Sequence, residues 1–315
     1  MRIAWVIVVA NVFWAAPAFA QAAYVTPRTS FGAPDLEGVW SSLTAAPLER
    51  PAIFDGPTTT EEKAAAFAVA SPEAFQADTS DGVGARVSEW WEFGTHMTRI
   101  NGEIRTSLIV DPQDGKMPYS EAGRARLRQL QADVFAKFDG PEARPATERC
   151  LAGGSGATGA PLFVPRYNAN YQIVQTRDYL VLLMEAGREA RIIRLNAPRL
   201  PPAMRRWMGD SVGRWEGDTL VVDTAGFVPG DAFKPASPLL VSENARVTER
   251  FTRISAGEIL YRYTVEDPAT FAQAWTAEMI LHATRDRMFE YACHEANYSL
   301  ESMLAGGRMQ EVPYR

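Results

Sequence analysis

The stretch FEYACHEANY, residues 289–298, concentrates reactive side chains in a chain that has only three histidines and two cysteines. An imidazole ordinarily titrates at about pH 6.5, so it exchanges protons readily near neutrality. His294 is therefore a candidate catalytic acid or base. The alternative is a structural histidine that hydrogen-bonds the following turn, and the sequence leaves both interpretations open.

A second polar stretch, RYNANY at residues 166–171, carries groups suited to an aromatic acid. Arg166 can bind a carboxylate through two parallel hydrogen bonds. Asn168 and Asn170 can orient a phenol or a carbonyl, and Tyr167 and Tyr171 can exchange a proton. In a strand the two asparagines would share one face and the two tyrosines the other. The alternative is a turn that contains the asparagines, with the tyrosines packed.

Four further side chains complete the predicted site. Arg205 and Trp207 belong to MRRWMGD, which predicts either a lid helix over a cavity or an exposed basic turn. Tyr263 and Trp275 lie on later predicted strands, where aromatic side chains either line a ligand cavity or pack in a core. We predict that these four residues bind substrate together with Arg166 and the two asparagines.

The two cysteines, Cys150 and Cys293, are predicted to pair if the protein is exported. Their disulfide would close a loop of more than 140 residues. Chain-entropy arguments give such a loop a stabilisation of about 4 to 5 kcal/mol. The alternative is two free thiols, one of them a reactive thiolate beside Arg149 or His294.

The first 20 residues have the order of a cleavable secretory signal. Arg2 precedes an apolar run over residues 3–14, and Ala18-Phe19-Ala20 ends the segment. We expect cleavage before Gln21, giving a periplasmic or secreted protein with no membrane insertion after the signal is removed. An uncleaved anchor is the alternative, although the apolar run is shorter than the roughly 20 residues that a spanning helix needs.

Charge and missing motifs exclude several functions. The chain has 32 basic and 38 acidic residues, and without Arg2 the net charge falls from −6 to −7. Such an acidic chain is a poor partner for nucleic acid. The sequence has no dinucleotide-binding GxGxxG loop, no phosphate-binding GxxxxGK[ST] loop and no GxSxG nucleophile motif. His96 and His282 are isolated in the sequence, so neither a metal nor a cofactor is predicted; the alternative is a zinc site assembled from all three histidines.

The elements that must position these residues are mainly strands. Residues 21–160 predict a loop-rich N-terminal extension with short helices and first strands. One helix is predicted from Thr59 to before Pro72 and another from Ser120 to Phe138, with a strand over residues 104–110 between them. After residue 160, about eight strands separated by tight turns predict a mainly β, antiparallel, calycin- or lipocalin-like barrel over residues 161–315. A helix ended by Gly306 is expected at the C-terminal end.

Alternation predicts which side chains point inward. One face each of three strands should face the barrel interior: Val247, Glu249, Phe251; Ile259, Tyr261, Tyr263, Val265; and Trp275, Ala277, Met279, Leu281. A further strand over residues 287–295 would direct Phe289, Tyr291 and Cys293 to one face and His294 to the other. Barrels of this size either fill with side chains or hold one small ligand.

Several sequence blocks resemble a known family. TSLIVDPQDGKMP, RYNANYQIVQT, RWEGDTLVVDT, ERFTR, YTVEDP and FEYACHEANYSLE are similar to phrases that recur in this order in exported bacterial proteins, most of them of unassigned function. The resemblance covers about residues 35–307. It implies cofactor-independent decarboxylases that act on lignin-derived phenylcoumaran carboxylates, with no catalytic residues to carry over. DLEGVW also resembles the Gly-x-Trp of the first lipocalin strand.

Together these observations predict an exported lyase of the decarboxylase type that needs no cofactor. Its partner would be a small aromatic or hydrophobic acid held in the barrel cavity. The alternatives are a non-catalytic periplasmic carrier of a hydrophobic small molecule and a structural envelope protein with a filled barrel. A cavity in which His294 or a tyrosine faces Arg166 or Arg205 would favour the enzyme, and a wholly apolar cavity would favour the carrier. A filled barrel would favour the structural protein.

Overall fold

The computed structural model describes residues 24–78, 92–145, 148–151, 159–165, 168–187, 190–228, 241–295 and 297–311. Over these residues the chain forms thirteen β-strands and three α-helices. The predicted signal peptide, Arg166 and Tyr167 lie outside the described residues.

Nine strands close into a barrel. In spatial order they are β1 (Gly38–Ser41), β6 (Asn170–Gln175), β7 (Tyr179–Met184), β8 (Ala190–Leu195), β9 (Asp210–Glu216), β10 (Thr219–Ala225), β11 (Arg246–Ser255), β12 (Glu258–Glu266) and β13 (Trp275–Ala283). β1 pairs with both β6 and β13, which closes the ring. All neighbours are antiparallel except β8 and β9. The predicted mainly β, antiparallel barrel is confirmed, with nine strands where lipocalins have eight.

The predicted inward faces of β11, β12 and β13 are also confirmed. Their eleven side chains are each at most 1% exposed, and Glu249 and three aromatic residues, Tyr261, Tyr263 and Trp275, are among them. All of them except Glu249 belong to one continuous hydrophobic core, which also contains inward residues of the other barrel strands. The charged residue in this set, Glu249, lies between Val247 and Phe251 on its strand, so alternation alone places it inside.

The two ends of the barrel are closed by different parts of the chain. We call the end at which β6, β8, β9, β11 and β13 begin the upper end, and the opposite one the lower end. At the lower end, Leu36 is buried and its backbone N–H donates to the side chain of Gln175. At the upper end, residues 159–165 contact the interior, because the Leu162 N–H donates to the Tyr261 hydroxyl at 2.8 Å.

The N-terminal region adds small elements outside the barrel. β2 (Thr58–Thr59), β4 (Glu103–Arg105) and β3 (Arg99–Ile100) form a three-stranded sheet, and β5 (Ile109–Asp111) pairs with β13. The single strand predicted over residues 104–110 is therefore wrong, because β4 and β5 join different sheets. The N-terminal region also supplies β1 to the barrel.

Two helices precede the main run of barrel strands. α1 (Glu61–Asp78) continues through Pro72, where it was predicted to end; a proline removes one hydrogen bond without always ending a helix. α2 (Glu121–Ala136) begins as predicted, since the Ser120 hydroxyl accepts from the Gly123 N–H at 3.0 Å. Among the helices of the described residues, none is long and apolar enough to cross a bilayer.

The strand predicted over residues 287–295 is wrong. These residues are irregular, with a turn at residues 293–295. The reason is that β13 already pairs with β12, β1 and β5, so the closed ring leaves no free edge beside it. The segment instead crosses to β7, where the Phe289 N–H donates to Glu185 at 2.9 Å. Phe289, Tyr291 and Cys293 therefore do not share a strand face.

The last element of the described residues is α3 (Tyr298–Glu311), which continues through the predicted stop at Gly306. The predicted disulfide between Cys150 and Cys293 is confirmed. It joins the segment before residues 159–165 to the segment after β13, across a sequence separation of 143 residues.

Candidate functional site

An ion pair lies inside the barrel. Arg191 on β8 and Glu249 on β11 are 2% and 0% exposed. The guanidinium donates to both carboxylate oxygens: Nη1 lies 2.9 Å from Oε1, and Nη2 donates to Oε2. This two-point geometry is the strongest form of a carboxylate–arginine contact.

Three hydroxyl groups complete this polar cluster. Arg191 Nε donates to Ser211 at 2.9 Å and Nη2 donates to Thr224 at 2.8 Å. The Tyr261 hydroxyl donates to Glu249 Oε1 at 2.7 Å and accepts from the Leu162 N–H. Five successive strands, β8 to β12, thus contribute one member each: Arg191, Ser211, Thr224, Glu249 and Tyr261. We call these five residues the interior polar cluster.

The interior polar cluster keeps its charges despite burial. Burial alone would lower the pKa of Arg191, but the adjacent Glu249 carboxylate outweighs that effect and raises the pKa. Burial raises the pKa of Tyr261 well above its usual value, and the negative charge of Glu249 raises it further. The arginine is therefore charged and the tyrosine protonated. Glu249 is the carboxylate of the cluster, and both Arg191 and Tyr261 donate hydrogen bonds to it.

Aromatic side chains lie next to this cluster. The Tyr261 and Tyr263 ring centroids are 5.4 Å apart, and the Tyr263 ring meets Trp275 edge-on at 5.7 Å. Phe271 also meets Trp275 edge-on, with the ring centroids 5.8 Å apart. Phe163, from residues 159–165, meets Tyr263 edge-on at 6.4 Å. The upper end of the barrel is thus lined by aromatic rings beside an ion pair.

One polar atom in this wall is left without a partner. Trp275 is 0% exposed, yet its indole Nε1–H finds no hydrogen-bond partner among the residues that the structure describes. Buried indole N–H groups normally have one, since leaving such a donor unsatisfied costs about 1 to 3 kcal/mol. The Thr270 hydroxyl, in the connection just before β13, is also buried and unpaired within that part of the chain.

Tyr171, predicted to be catalytic, lies in the same interior. Its side chain is 1% exposed, and its hydroxyl donates to the Phe163 carbonyl at 2.7 Å. Burial raises the pKa of Tyr171, and burial also raises the pKa of Tyr263. Both phenols therefore remain protonated at neutral pH, where they can donate hydrogen bonds but cannot act as bases.

His294 lies elsewhere. It lines a cavity of about 570 Å³ between the segment over residues 288–295 and the part of β6 and β7 near Gln172 and Leu183. Gln172 and Leu183 alternate with the buried Tyr171, Ile173 and Leu182, so they point away from the barrel interior. We call this space the outer cavity. The structure consequently separates His294 from Tyr171, Tyr263 and Trp275.

The two asparagines of RYNANY are positioned by local contacts. Asn170 begins β6, and its amide donates to Glu185 at 2.8 Å. Asn168 precedes the strand with φ at 52°, a left-handed turn conformation that asparagine adopts more easily than most residues. Asn168 therefore lies in a turn, as the alternative interpretation predicted. Asn170 contacts Glu185, which lines the outer cavity.

Arg205 and Trp207 do not form a lid helix. They lie in a turn, with Arg205 exposed and Trp207 half-buried. Arg205 Nη1 donates to the backbone carbonyls of Phe227 and Glu243, at 3.0 Å and 2.9 Å. The exposed basic turn, the second of the two predicted alternatives, is the one observed.

The described residues offer no preformed metal site: no three histidine, cysteine, aspartate or glutamate side chains among them converge as metal ligands would. Comparison of the chain with protein-family models, with curated proteins and with solved structures finds no match. The family resemblance of the sequence blocks therefore stays a prediction.

Sequence reasoning missed most of the interior polar cluster. It singled out Glu249 as an inward residue and Tyr261 as part of the inner wall, but it did not identify Arg191, Ser211 or Thr224. The available signal was a charge on an otherwise apolar strand face: Glu249 between Val247 and Phe251 requires a buried cation. A search for an arginine on another inward face would have led to β8.

Proposed function

We propose that the protein is an exported lyase of the decarboxylase type that acts, without a cofactor, on an aromatic, lignin-derived carboxylate. The reaction takes place at the upper end of the barrel interior, beside Trp275 and the interior polar cluster. The observation that carries the proposal is the unpaired Nε1–H of Trp275 in an aromatic wall next to an ion pair.

The unpaired donor supports a ligand that brings an oxygen atom. A carboxylate or phenol oxygen accepting from Trp275 would satisfy the indole, and the rings of Tyr263 and Phe271 would contact an aromatic body. Small-molecule sites commonly combine such apolar walls with a few convergent polar groups. The Cys150–Cys293 disulfide supports export, because disulfides persist in oxidising compartments.

The chemistry needs a base, a cation and no external electron acceptor. A base removes the phenolic proton, and the resulting electron pair expels the ether oxygen of the substrate. Loss of carbon dioxide from the neighbouring carbon then returns the pair to the ring, and an acid protonates the ether oxygen. Glu249 is the interior carboxylate that can take the phenolic proton and pass it to the released ether oxygen. Tyr261 can donate a hydrogen bond, and Arg191 offsets the developing negative charge.

The interior polar cluster favours an enzyme over a carrier. A carrier of a hydrophobic molecule needs only an apolar interior, and an apolar replacement for a buried ion pair is often equally stable. Clusters of ionisable groups with shifted pKa values are frequent at catalytic sites.

The test is to incubate protein purified from the cell envelope with phenylcoumaran-type dimer acids and to follow product mass and released carbon dioxide. Methyl esters of the same acids are the matched substrates, since they keep the rings but cannot lose carbon dioxide. We expect each acid to lose one molecule of carbon dioxide, about 44 mass units, and the esters to stay intact. Acids that bind and are recovered unchanged would identify a carrier.

Variants then test whether the substrate binds at Trp275. Trp275→Phe removes the indole N–H and keeps an aromatic ring, so we expect a fall in kcat/KM of about tenfold or more, as for the loss of one hydrogen bond to a charged oxygen. Trp215→Phe is the matched control, because Trp215 lies near the lower end of β9. Equal activity of both variants and the wild type would remove Trp275 from the substrate site.

A further inference from the structure

The outer cavity is a further site to consider. Its volume of about 570 Å³ suits a small molecule. Outward side chains of β6 and β7 form one wall, and the segment over residues 288–295 forms the other. The disulfide at Cys293 anchors that second wall to the rest of the chain.

Glu185 gives this cavity a buried carboxylate. It directly follows β7, lines the cavity and is 4% exposed. Its two oxygens accept from neutral groups, Oε2 from the Asn170 amide at 2.8 Å and Oε1 from the Phe289 N–H at 2.9 Å. No arginine, lysine or histidine in the described ranges forms an ion pair with it. A buried carboxylate without a cation is costly, because hydrogen bonds to neutral donors replace only part of its hydration.

The surroundings increase the negative potential. Glu290 and Glu295 also line the cavity, and the described lining residues include no arginine or lysine. Glu92 is affected by the same negative charges. Burial raises the pKa of its carboxyl, and the charges of Glu185 and Asp286 raise it further. A bound anion would be repelled here, whereas a bound cation would be attracted.

Apart from Gln172 and His294, most of the remaining side chains of the lining are apolar or aromatic. Phe289 is 71% exposed although it is a large apolar side chain, and Tyr291, Leu183 and Met288 lie in the same lining. Aromatic rings attract organic cations through their faces as well as through their apolar area. The ligand that matches both properties has a positive charge on a hydrophobic or aromatic stem.

We propose that the outer cavity binds an organic ammonium ion with an aromatic body, and that Glu185 forms the ion pair with its charged nitrogen. Phe289 and Tyr291 contact the aromatic part, and Glu290 and Glu295 attract the ligand from solvent. This site is separate from the one proposed for the aromatic acid, because one of its walls is the outward face of β6 and β7. It also favours a cationic ligand, whereas the barrel site is proposed to bind an anion.

The probe for this site is 2-phenylethylammonium, followed by calorimetry or by chemical-shift titration of the full-length secreted protein. Its neutral counterpart is 2-phenylethanol, and its anionic counterpart is phenylacetate. We expect the ammonium ion to bind at least about tenfold more tightly than the alcohol at low ionic strength, with the difference reduced by salt. Phenylacetate should not bind. Equal affinities for the ammonium ion and the alcohol would overturn the proposal without any variant.

The matched variants are Glu185→Gln and Glu62→Gln, which remove the same charge inside the cavity and on the exposed start of α1. The first should weaken ammonium binding at least about tenfold, the size expected when a hydrogen bond between charged partners is lost. The second should leave it unchanged. Unchanged binding in a folded Glu185→Gln variant would refute the role of Glu185. Trp275→Phe should not alter ammonium binding, so failure of the barrel proposal and failure of this one are distinguishable.

Discussion

Arg191 and Glu249 form a two-point ion pair whose side chains are almost entirely removed from solvent. The two residues are 58 positions apart in the sequence and lie on strands that are not neighbours in the barrel. Their contact crosses the interior, so it connects the wall that contains β8 with the wall that contains β11. The ion pair therefore forms only when the barrel is closed, and it contributes to stability only when both partners are present.

The first prediction concerns this pair. Glu249→Gln leaves the Arg191 charge buried without a counter-ion, so we expect the free energy of unfolding to fall by about 3 to 5 kcal/mol in urea titrations. A double variant, Arg191→Met with Glu249→Leu, replaces the pair by apolar groups and should recover most of that loss. If the pair takes part in catalysis, the single variant should lose turnover and the double variant should not recover it. A stable double variant with full activity would limit the pair to a structural role.

The disulfide supplies the second prediction. Cys293→Ser opens a closed loop whose ends are 143 positions apart in the sequence, and the loop-entropy argument assigns such a bond about 4 to 5 kcal/mol. We expect the melting temperature of the variant to lie below that of the wild type in oxidising buffer. Under reductant the two proteins should melt together. A difference that persists under reductant would show that the serine disturbs packing beyond the lost bond.

The third prediction concerns His294. Its side chain is exposed, so His294→Ala should leave the melting temperature nearly unchanged, as measured by calorimetry. The turnover of the same variant locates the reaction. General acid–base groups contribute about a hundredfold or more, so a loss of that size would place the chemistry in the outer cavity. It would also return His294 to the role that the sequence suggested.

A pH dependence follows from Glu92. Because the folded protein raises the pKa of this carboxyl, its ionised form destabilises the fold. This loss of folding stability is complete above the pKa of Glu92 in the folded protein. It disappears below the pKa of a glutamate in the unfolded chain, about 4.3. Glu92→Gln should therefore raise the melting temperature slightly at pH 7, and the two proteins should converge as the pH falls below about 4. A constant difference across this range would show that the effect is not electrostatic.

The inward faces of β11 to β13 could be predicted because alternation is a local property of a strand. Arg191 could not be assigned in the same way. In β8, Arg191, Ile193 and Leu195 share one face and Ala190, Ile192 and Arg194 share the other, so each face has one arginine among apolar residues. Only the pairing of β8 with its neighbours decides which arginine is inside.

The irregular segment after β13 was missed for a related reason. FEYACHE has the composition of a strand, but a strand also needs a free edge to pair with. The closure of the barrel by β1 depends on residues 38–41, more than 200 positions earlier in the chain. The same closure separates the predicted site residues, because it fixes Tyr171 inside and leaves His294 on the outer wall. Neither consequence is visible in the local sequence.

The last prediction uses two adjacent glycines of α3. A Cβ atom at Gly306 would meet nothing within 4 Å, whereas one at Gly307 would lie 2.3 Å from Phe138 Cβ. Gly306→Ala should stabilise the protein by about 0.5 to 1 kcal/mol, because alanine favours the helix more than glycine does. Gly307→Ala should destabilise it by about 1 to 3 kcal/mol, because α3 must move away from Phe138. Urea unfolding of the two variants measures both signs, and the same sign for both would show that α3 does not pack closely on Phe138.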